Sequence, residues 1–146
     1  EAAMELTYRR AQLLELSRIL AQCFENVNHY EDFARVDRSE ALSAVRRRVQ
    51  KQIFNFTIAE RDGEAVGCYF LHNINGRVEL EDFYVFDPHR GRGIGTQMLR
   101  DCQSKVNGAI WLRVFAGNVR AIGFFIRLGF HICGEAENGM LWMQCI

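Results

Sequence analysis

Net charge is the first thing this 146-residue chain lacks: 18 basic residues stand against 18 acidic ones. Without an excess of either sign there is no broad electrostatic drive toward nucleic acid or an anionic membrane surface, and neither is expected as a partner. Paired cysteines are missing too. Cys23, Cys68, Cys102, Cys133 and Cys145 are odd in number, widely spread and without a Cys-x-x-Cys, so they read as reduced small hydrophobes in a reducing compartment. His29, His72, His89 and His131 are scattered without zinc-ligand spacing, and no metal is expected. No apolar run approaches membrane-spanning length, and Arg9, Arg10, Glu15 and Arg18 interrupt the apolar core that a secretory signal would need. A cytoplasmic location is the resulting expectation. Linkers, repeats and low-complexity tracts are also absent. One domain over residues 1–146 is expected, with a core drawn from the 49% of residues that are apolar.

What is present is concentrated between Tyr84 and Leu99. There a hydrophobic strand, a turn at Pro88, glycines at 91, 93 and 95 and a helix start follow one another directly. Glycines let a backbone approach a ligand closely, and the free amides and dipole of a helix N-terminus attract anionic oxygens, so the segment is a pyrophosphate cradle. Gly91 to Thr96 has neither the spacing nor the lysine of a nucleotide-triphosphatase loop. A dinucleotide fingerprint would need its third glycine where Thr96 stands.

The rest of the chain alternates two periods. Leu13, Leu16, Leu20 and Phe24 predict an amphipathic helix over residues 7–24, and Leu42, Val45 and Val49 a second after a Ser39 cap, with Glu25 to Asp37 a loop or broken helix between. The Arg46-Arg47-Arg48 run falls within the second helix and reads as a solvated face. From Ile53 the period becomes two, through Phe54, Phe56 and Ile58. Turns at Asp62-Gly63 and Asn75-Gly76 then predict three antiparallel strands ending at Val78 to Phe86. Thr96 to Val106 is helical. A strand near residues 109–115 should pair parallel to the one before the glycine loop through a right-handed crossover. A short helix follows Asn118, and His131 to Cys133 with Met140 to Ile146 form a final hairpin.

Two blocks carry a family resemblance. Arg90-x-x-Gly93-x-Gly95 after a strand ending Val85-x-x-Pro88 resembles the acyl-coenzyme A loop of the GCN5-related N-acetyltransferase superfamily. Asn118, Ala121, Phe124, Phe125, Gly129 and Phe130 follow the superfamily's Asn-x-x-Ala-x-x-Phe-Tyr-x-x-x-Gly-Phe helix, except that Phe125 replaces the tyrosine. The element order matches over nearly the whole chain. The resemblance implies a mixed α/β sheet with two N-terminal helices, an antiparallel meander, a parallel crossover and a C-terminal helix and hairpin. It implies acetyl-coenzyme A as cosubstrate, held by Arg90, Gly91, Arg92, Gly93, Ile94, Gly95 and Thr96, by the backbone of Phe83, Tyr84 and Val85, and by Asn118 and Phe125.

Acetyl transfer to an amine needs a proton acceptor, because alkylamines have a pKa of about 10. Leu80-Glu81-Asp82-Phe83-Tyr84-Val85 is similar to the corresponding strand of spermidine/spermine acetyltransferases, which places the base at Glu81. Alignment to the histone acetyltransferases places it at Glu79 instead, and Glu81 is preferred. Phe125 has no proton to give the departing thiolate. The thiolate leaves unaided or through water, Tyr84 substitutes, or turnover is poor. The expected acceptor is a primary amine of a small molecule attacking directly in a ternary complex. Acidic residues Glu25, Glu31, Asp32, Glu135 and Glu137, on loops flanking the acceptor side in the family, support it. A protein N-terminal or lysine acetyltransferase and a non-catalytic acyl-coenzyme A module are the alternatives. Many relatives are dimers, so a homodimer fits the resemblance.

Overall fold

The computed structural model describes residues 5–146. It opens not on a helix but on a strand, β1 (Thr7–Arg10), paired antiparallel with β2 (Thr57–Arg61). The predicted helix over residues 7–24 is therefore divided. Tyr8 packs into the core and its hydroxyl donates to the Gln97 carbonyl at 3.3 Å, which holds the segment on the sheet edge. A 3-10 turn at Leu13–Glu15 separates the strand from helix α1 (Leu16–Tyr30), with the Glu15 carboxylate accepting from the Gln12 amide at 2.7 Å. Leu13 is 64% exposed and does not belong to the buried stripe, which begins at Leu16 and continues through Ile19, Leu20 and Cys23.

Helix α1 also runs further than its apolar period indicates, through Asn26 and Val27 to Tyr30, where its inner face meets open cavity rather than core. Helix α2 (Arg38–Gln52) is capped by Asp37, not Ser39: Asp37 Oδ2 accepts from the Glu40 amide at 2.9 Å. Ile53–Asn55 form a second 3-10 turn with Phe54 turned out to solvent, so the next strand starts at Thr57 rather than at Ile53.

The remaining elements are β3 (Glu64–Ile74), β4 (Arg77–Val85), α3 (Ile94–Ser104), β5 (Ile110–Phe115), α4 (Val119–Arg127), β6 (His131–Glu135) and β7 (Met140–Cys145). Among the described residues seven strands form one sheet in the order β1-β2-β3-β4-β5-β7-β6. All neighbours are antiparallel except β4 and β5, joined in parallel through α3 as expected. Helices α3 and α4 pack on one face over Tyr69, Leu80, Leu112 and Met143; α1 and α2 pack on the other over Ile58, Cys68, Phe70 and Phe86.

One irregularity positions everything that follows. In the β3–β4 ladder Phe70 faces Glu81 and Cys68 faces Tyr84, so β4 carries an extra residue, and Asp82 sits there at φ 51°. This β-bulge breaks the alternation. Leu80 and Phe83, three apart, face the α3/α4 core, while Glu81, Asp82 and Tyr84 are left on the α1/α2 side. It also bends β4 away from β5. Their parallel pairing covers only Val78, Glu79 and Leu80 against Ile110, Trp111 and Leu112, whereas β5 continues to Phe115 with β7 alone. The sheet thus contains a crevice at its centre.

Candidate active site

Two cavities open on this crevice. The first, of about 590 Å³, lies between the C-terminal end of β4, the glycine loop, α4 and the inner face of α1. Gly93, at φ 77°, is the N-cap of α3, and Gly91 has φ 79°; a Cβ at either would meet open space, so what these positions require is left-handed backbone rather than room. Gly95 is different: an added Cβ would come within 3.3 Å of the Phe124 ring, so its hydrogen lets α3 start close against α4. Ile94 lines the cavity yet its side chain is buried in the core, so it offers only backbone there.

Arg90, Gly91, Gly93, Ile94, Gly95 and Thr96 all line this cavity, together with Phe83, Tyr84, Val85, Asn118 and Phe125. Arg92 is exposed and is not among the lining residues. Arg90 is committed locally: Nε donates to the Val85 carbonyl at 3.0 Å, one Nη to Gln22 at 2.9 Å, and the other pairs with Asp87 at 3.3 Å. It ties the loop to β4 and α1. Arg120 and Arg127 on α4 add positive charge that a pyrophosphate would meet.

The second cavity, of about 550 Å³, lies between α1, α2, β5 and the β6–β7 turn. Glu81 lines it. Its Oε1 is 3.3 Å from Arg113 Nη2, its Oε2 3.5 Å from Arg48 Nη1, and His72 Nε2 approaches Oε1 to 3.3 Å without the alignment of a hydrogen bond. Asp82 is bound tightly: Arg48 pairs with both its oxygens, one contact at 3.2 Å, and Cys23 Sγ donates to Oδ1 at 3.4 Å. Burial works against the Arg48 charge, and the Asp82 carboxylate more than offsets it, holding the guanidinium pKa above its ordinary value. Burial pushes the Cys23 and Cys68 thiols well up, with the Asp82 charge the next largest cause at Cys23, and the neighbouring Cys23 thiol, then Asp82, at Cys68, so neither is a thiolate nucleophile at neutral pH. Glu79 is buried but lines neither cavity.

The cavities share six lining residues: Asn26, Phe83, Tyr84, Asn118, Ala121 and Phe125. Asn118 is a helix cap, its Oδ1 accepting from the Ala121 amide at 3.2 Å, which leaves its amide hydrogens to donate. Phe125 is held edge-to-face by Phe83, Phe124 and Phe130. Tyr84 carries the one ionisable side chain among the six, and burial, then the neighbouring Cys23 and Asp82, raise its pKa far enough that the hydroxyl keeps its proton.

Several residues escaped the sequence. Arg48 reads as one of three solvated arginines but projects into the second cavity, one position before the buried Val49. Arg113 and Asn26 carried no motif. Of the acidic residues expected on the acceptor side, Glu31 lines the second cavity, Glu25 lines the first, and Glu137 is spent on an ion pair with Arg113 at 2.6 Å.

A crevice at a splayed strand, with a glycine-rich helix start on one side and a carboxylate-lined cavity on the other, defines an acyl-transfer architecture. A model of the acetyltransferase (GNAT) family matches residues 13–130. The chain is 34% identical over 77 residues to the spermine/spermidine N(1)-acetyltransferase of Bacillus subtilis (strain 168), covering 49% of this chain and 51% of that protein. It is 38% identical over 64 residues to the streptothricin acetyltransferase of Streptomyces lavendulae, covering 41% and 34%. The chain spans about half the length, or less, of the curated relatives it matches. Among solved structures, the PaiA N-acetyltransferase from Thermoplasma acidophilum in complex with coenzyme A superposes with a TM-score of 0.72 at 18% identity, over 97% of this chain and 99% of that one. The chain belongs to the GNAT acetyltransferase family.

Proposed function

We propose that the protein is an N-acetyltransferase that moves an acetyl group from acetyl-coenzyme A to a primary amine of a small molecule, by direct attack within one ternary complex. The observation that carries this reading is the meeting of the two cavities at the β4 bulge, over Phe83, Tyr84, Asn118 and Phe125. The glycine-loop amides and the α4 arginines suit the pyrophosphate, and the β4 backbone that has left β5 suits an extended amide-bearing arm. The acceptor enters from the second cavity. Glu81 takes the ammonium proton through water. The thiols of Cys23 and Cys68, held protonated, support direct transfer over a covalent relay. Tyr84 donates a hydrogen bond to the emerging thiolate without surrendering its proton, since a thiol with a pKa of about 8.5 is a stronger acid than this raised phenol. Names of the relatives, spermine/spermidine and streptothricin acetyltransferases, support a small-molecule acceptor.

The test is acetyl-coenzyme A turnover against polyamines, aminoglycosides, amino acids and short peptides, read by mass spectrometry of the products so that the five cysteines do not interfere. Acetylation of a small amine, abolished or strongly reduced in Glu81→Gln, is the expected result. Cofactor binding without any acetylated small amine would overturn it in favour of a protein acceptor or a regulatory acyl-coenzyme A module.

A further inference from the structure

The acceptor cavity holds two arginines, and they differ in how firmly they are engaged. Arg48 is locked across both oxygens of the 7% exposed Asp82 side chain and touches Glu81 as well. Among the described residues Arg113 has only one internal partner, Glu81, at 3.3 Å; its second nitrogen is 2.6 Å from Glu137, whose side chain is 61% exposed on the turn between β6 and β7. Exposed ion pairs of this kind hold little net free energy, because each partner gives up almost as much hydration as it gains in attraction. The guanidinium is nevertheless well placed. It lies over the Trp142 ring at 5.4 Å, and Trp142 is itself fixed by Arg77 stacked at 4.4 Å and by the edge of Trp111. Arg113 is thus an oriented cation in an acceptor cavity with an easily displaced carboxylate on it.

Resting on the acetyltransferase reading, we propose that the acceptor is a zwitterion, an amino acid or close analogue, whose carboxylate displaces Glu137 from Arg113 while its adjacent amine is presented to the junction beside Glu81. Arg113 and Glu81 are neighbours, so the anion receptor and the proton acceptor stand next to each other, as an amine and carboxylate on one carbon require. Glu137 is a placeholder that satisfies Arg113 when the site is empty. On the α1–α2 side of the cavity Glu31 and Glu40 have no ion-pair partner among the described residues, and they suit a cationic side chain on the same acceptor.

The test uses acceptors that differ by one carboxylate: lysine against cadaverine, ornithine against putrescine, arginine against agmatine, each compared by kcat/KM with the acetylated nitrogen located by fragmentation. The amino acid of each pair should lead by about tenfold or more, the effect of one charge-assisted bidentate contact, with acetylation on the α-nitrogen. Arg113→Gln should collapse that ratio toward one, and Arg113→Lys should keep part of it. Glu137→Gln, at an exposed position where folding is not at stake, should lower KM for the amino acids by removing their competitor. A lead for the decarboxylated amines in the wild-type protein, a ratio unmoved by Arg113→Gln, or a raised amino-acid KM in Glu137→Gln would overturn the inference while leaving the acetyltransferase reading intact. Acetylation of other small amines but of none in these pairs would overturn the inference alone, and silence across those amines as well, with acetyl-coenzyme A still bound, would overturn both.

Discussion

Asp82 combines a strained backbone with a buried charge, and three substitutions separate the two. Asp82→Asn removes the carboxylate but keeps a side chain that tolerates the observed φ of 51°. Asp82→Ala removes both the charge and the tolerance, and Asp82→Gly removes the charge while freeing φ. Hydrogen bonds to a charged group contribute about 1.5–3 kcal/mol. Arg48 is 36% exposed, so water recovers part of its loss and the lower end applies. Asp82→Asn should therefore cost about 1.5 kcal/mol. Left-handed backbone costs an ordinary residue with a Cβ about 1–2 kcal/mol more, which brings Asp82→Ala to about 3 kcal/mol. Asp82→Gly should fall between them, since glycine gains freedom in the unfolded chain. At about 3–4 °C per kcal/mol for a chain of this size, thermal midpoints should fall by about 5 °C for Asn and about 10 °C for Ala. The same ranking should appear in the KM for acetyl-coenzyme A, because relaxing the bulge lets β4 move back toward β5 and narrows the crevice. Equal midpoints for Asn and Ala would refute the claim that the backbone at Asp82 is strained. A fall in stability with no change in that KM would refute the link between bulge and crevice.

Tyr84→Phe should lower kcat by about a hundredfold if its hydroxyl steadies the leaving sulfur, whereas Phe125→Tyr should change rate by about threefold or less and leave the alkaline limb of the pH profile in place; a large gain from Phe125→Tyr would mean that a proton donor is missing there. Gly93→Ala, at φ 77° with open space where the Cβ would go, should raise the KM for acetyl-coenzyme A by about fivefold through backbone cost alone and leave the acceptor KM within error. Glu15 should contribute to acid sensitivity. Burial pushes its carboxyl up, but the Arg9 guanidinium and the Gln12 amide together pull it below the usual range. Its stabilisation is therefore complete above an unfolded pKa of about 4.3 and is lost as pH falls through the lower folded value. Thermal midpoints measured from pH 6 to pH 3 should fall less steeply in Glu15→Gln than in the wild type; parallel curves would show that Glu15 is not linked to folding.

Features written in backbone chemistry were legible in the sequence. The loop from Arg90 to Thr96 announces itself because left-handed positions demand glycine, and α4 because Asn118 caps it and its apolar spacing is regular. Features created by tertiary contact were not. Four-residue β1 presents one buried face, through Tyr8, to a sheet edge, and Leu13 sits at helical spacing from Leu16 although it faces water. Nothing in Leu80-Glu81-Asp82-Phe83 marks an inserted residue, since any of the central positions would preserve the apolar ends. Glu79 and Glu81 both precede the bulge and share one face of β4, so alternation cannot tell them apart; only the position of the cavity, which Glu81 lines and Glu79 does not, separates them. Arg48 acquires its place only because the bulge turns Asp82 toward α2.

An unpaired strand edge is ordinarily a hazard, since it offers a template to any passing extended chain. Here the only stretch of β4 that has left its neighbour lies in the middle of the molecule, walled by Phe83, Phe124 and the cap of α4. On the acetyltransferase reading, that unpaired edge is offered to an extended tether carrying its own amides, so a liability for aggregation becomes a row of hydrogen-bonding groups held for a ligand, at the place where the sheet would otherwise be weakest.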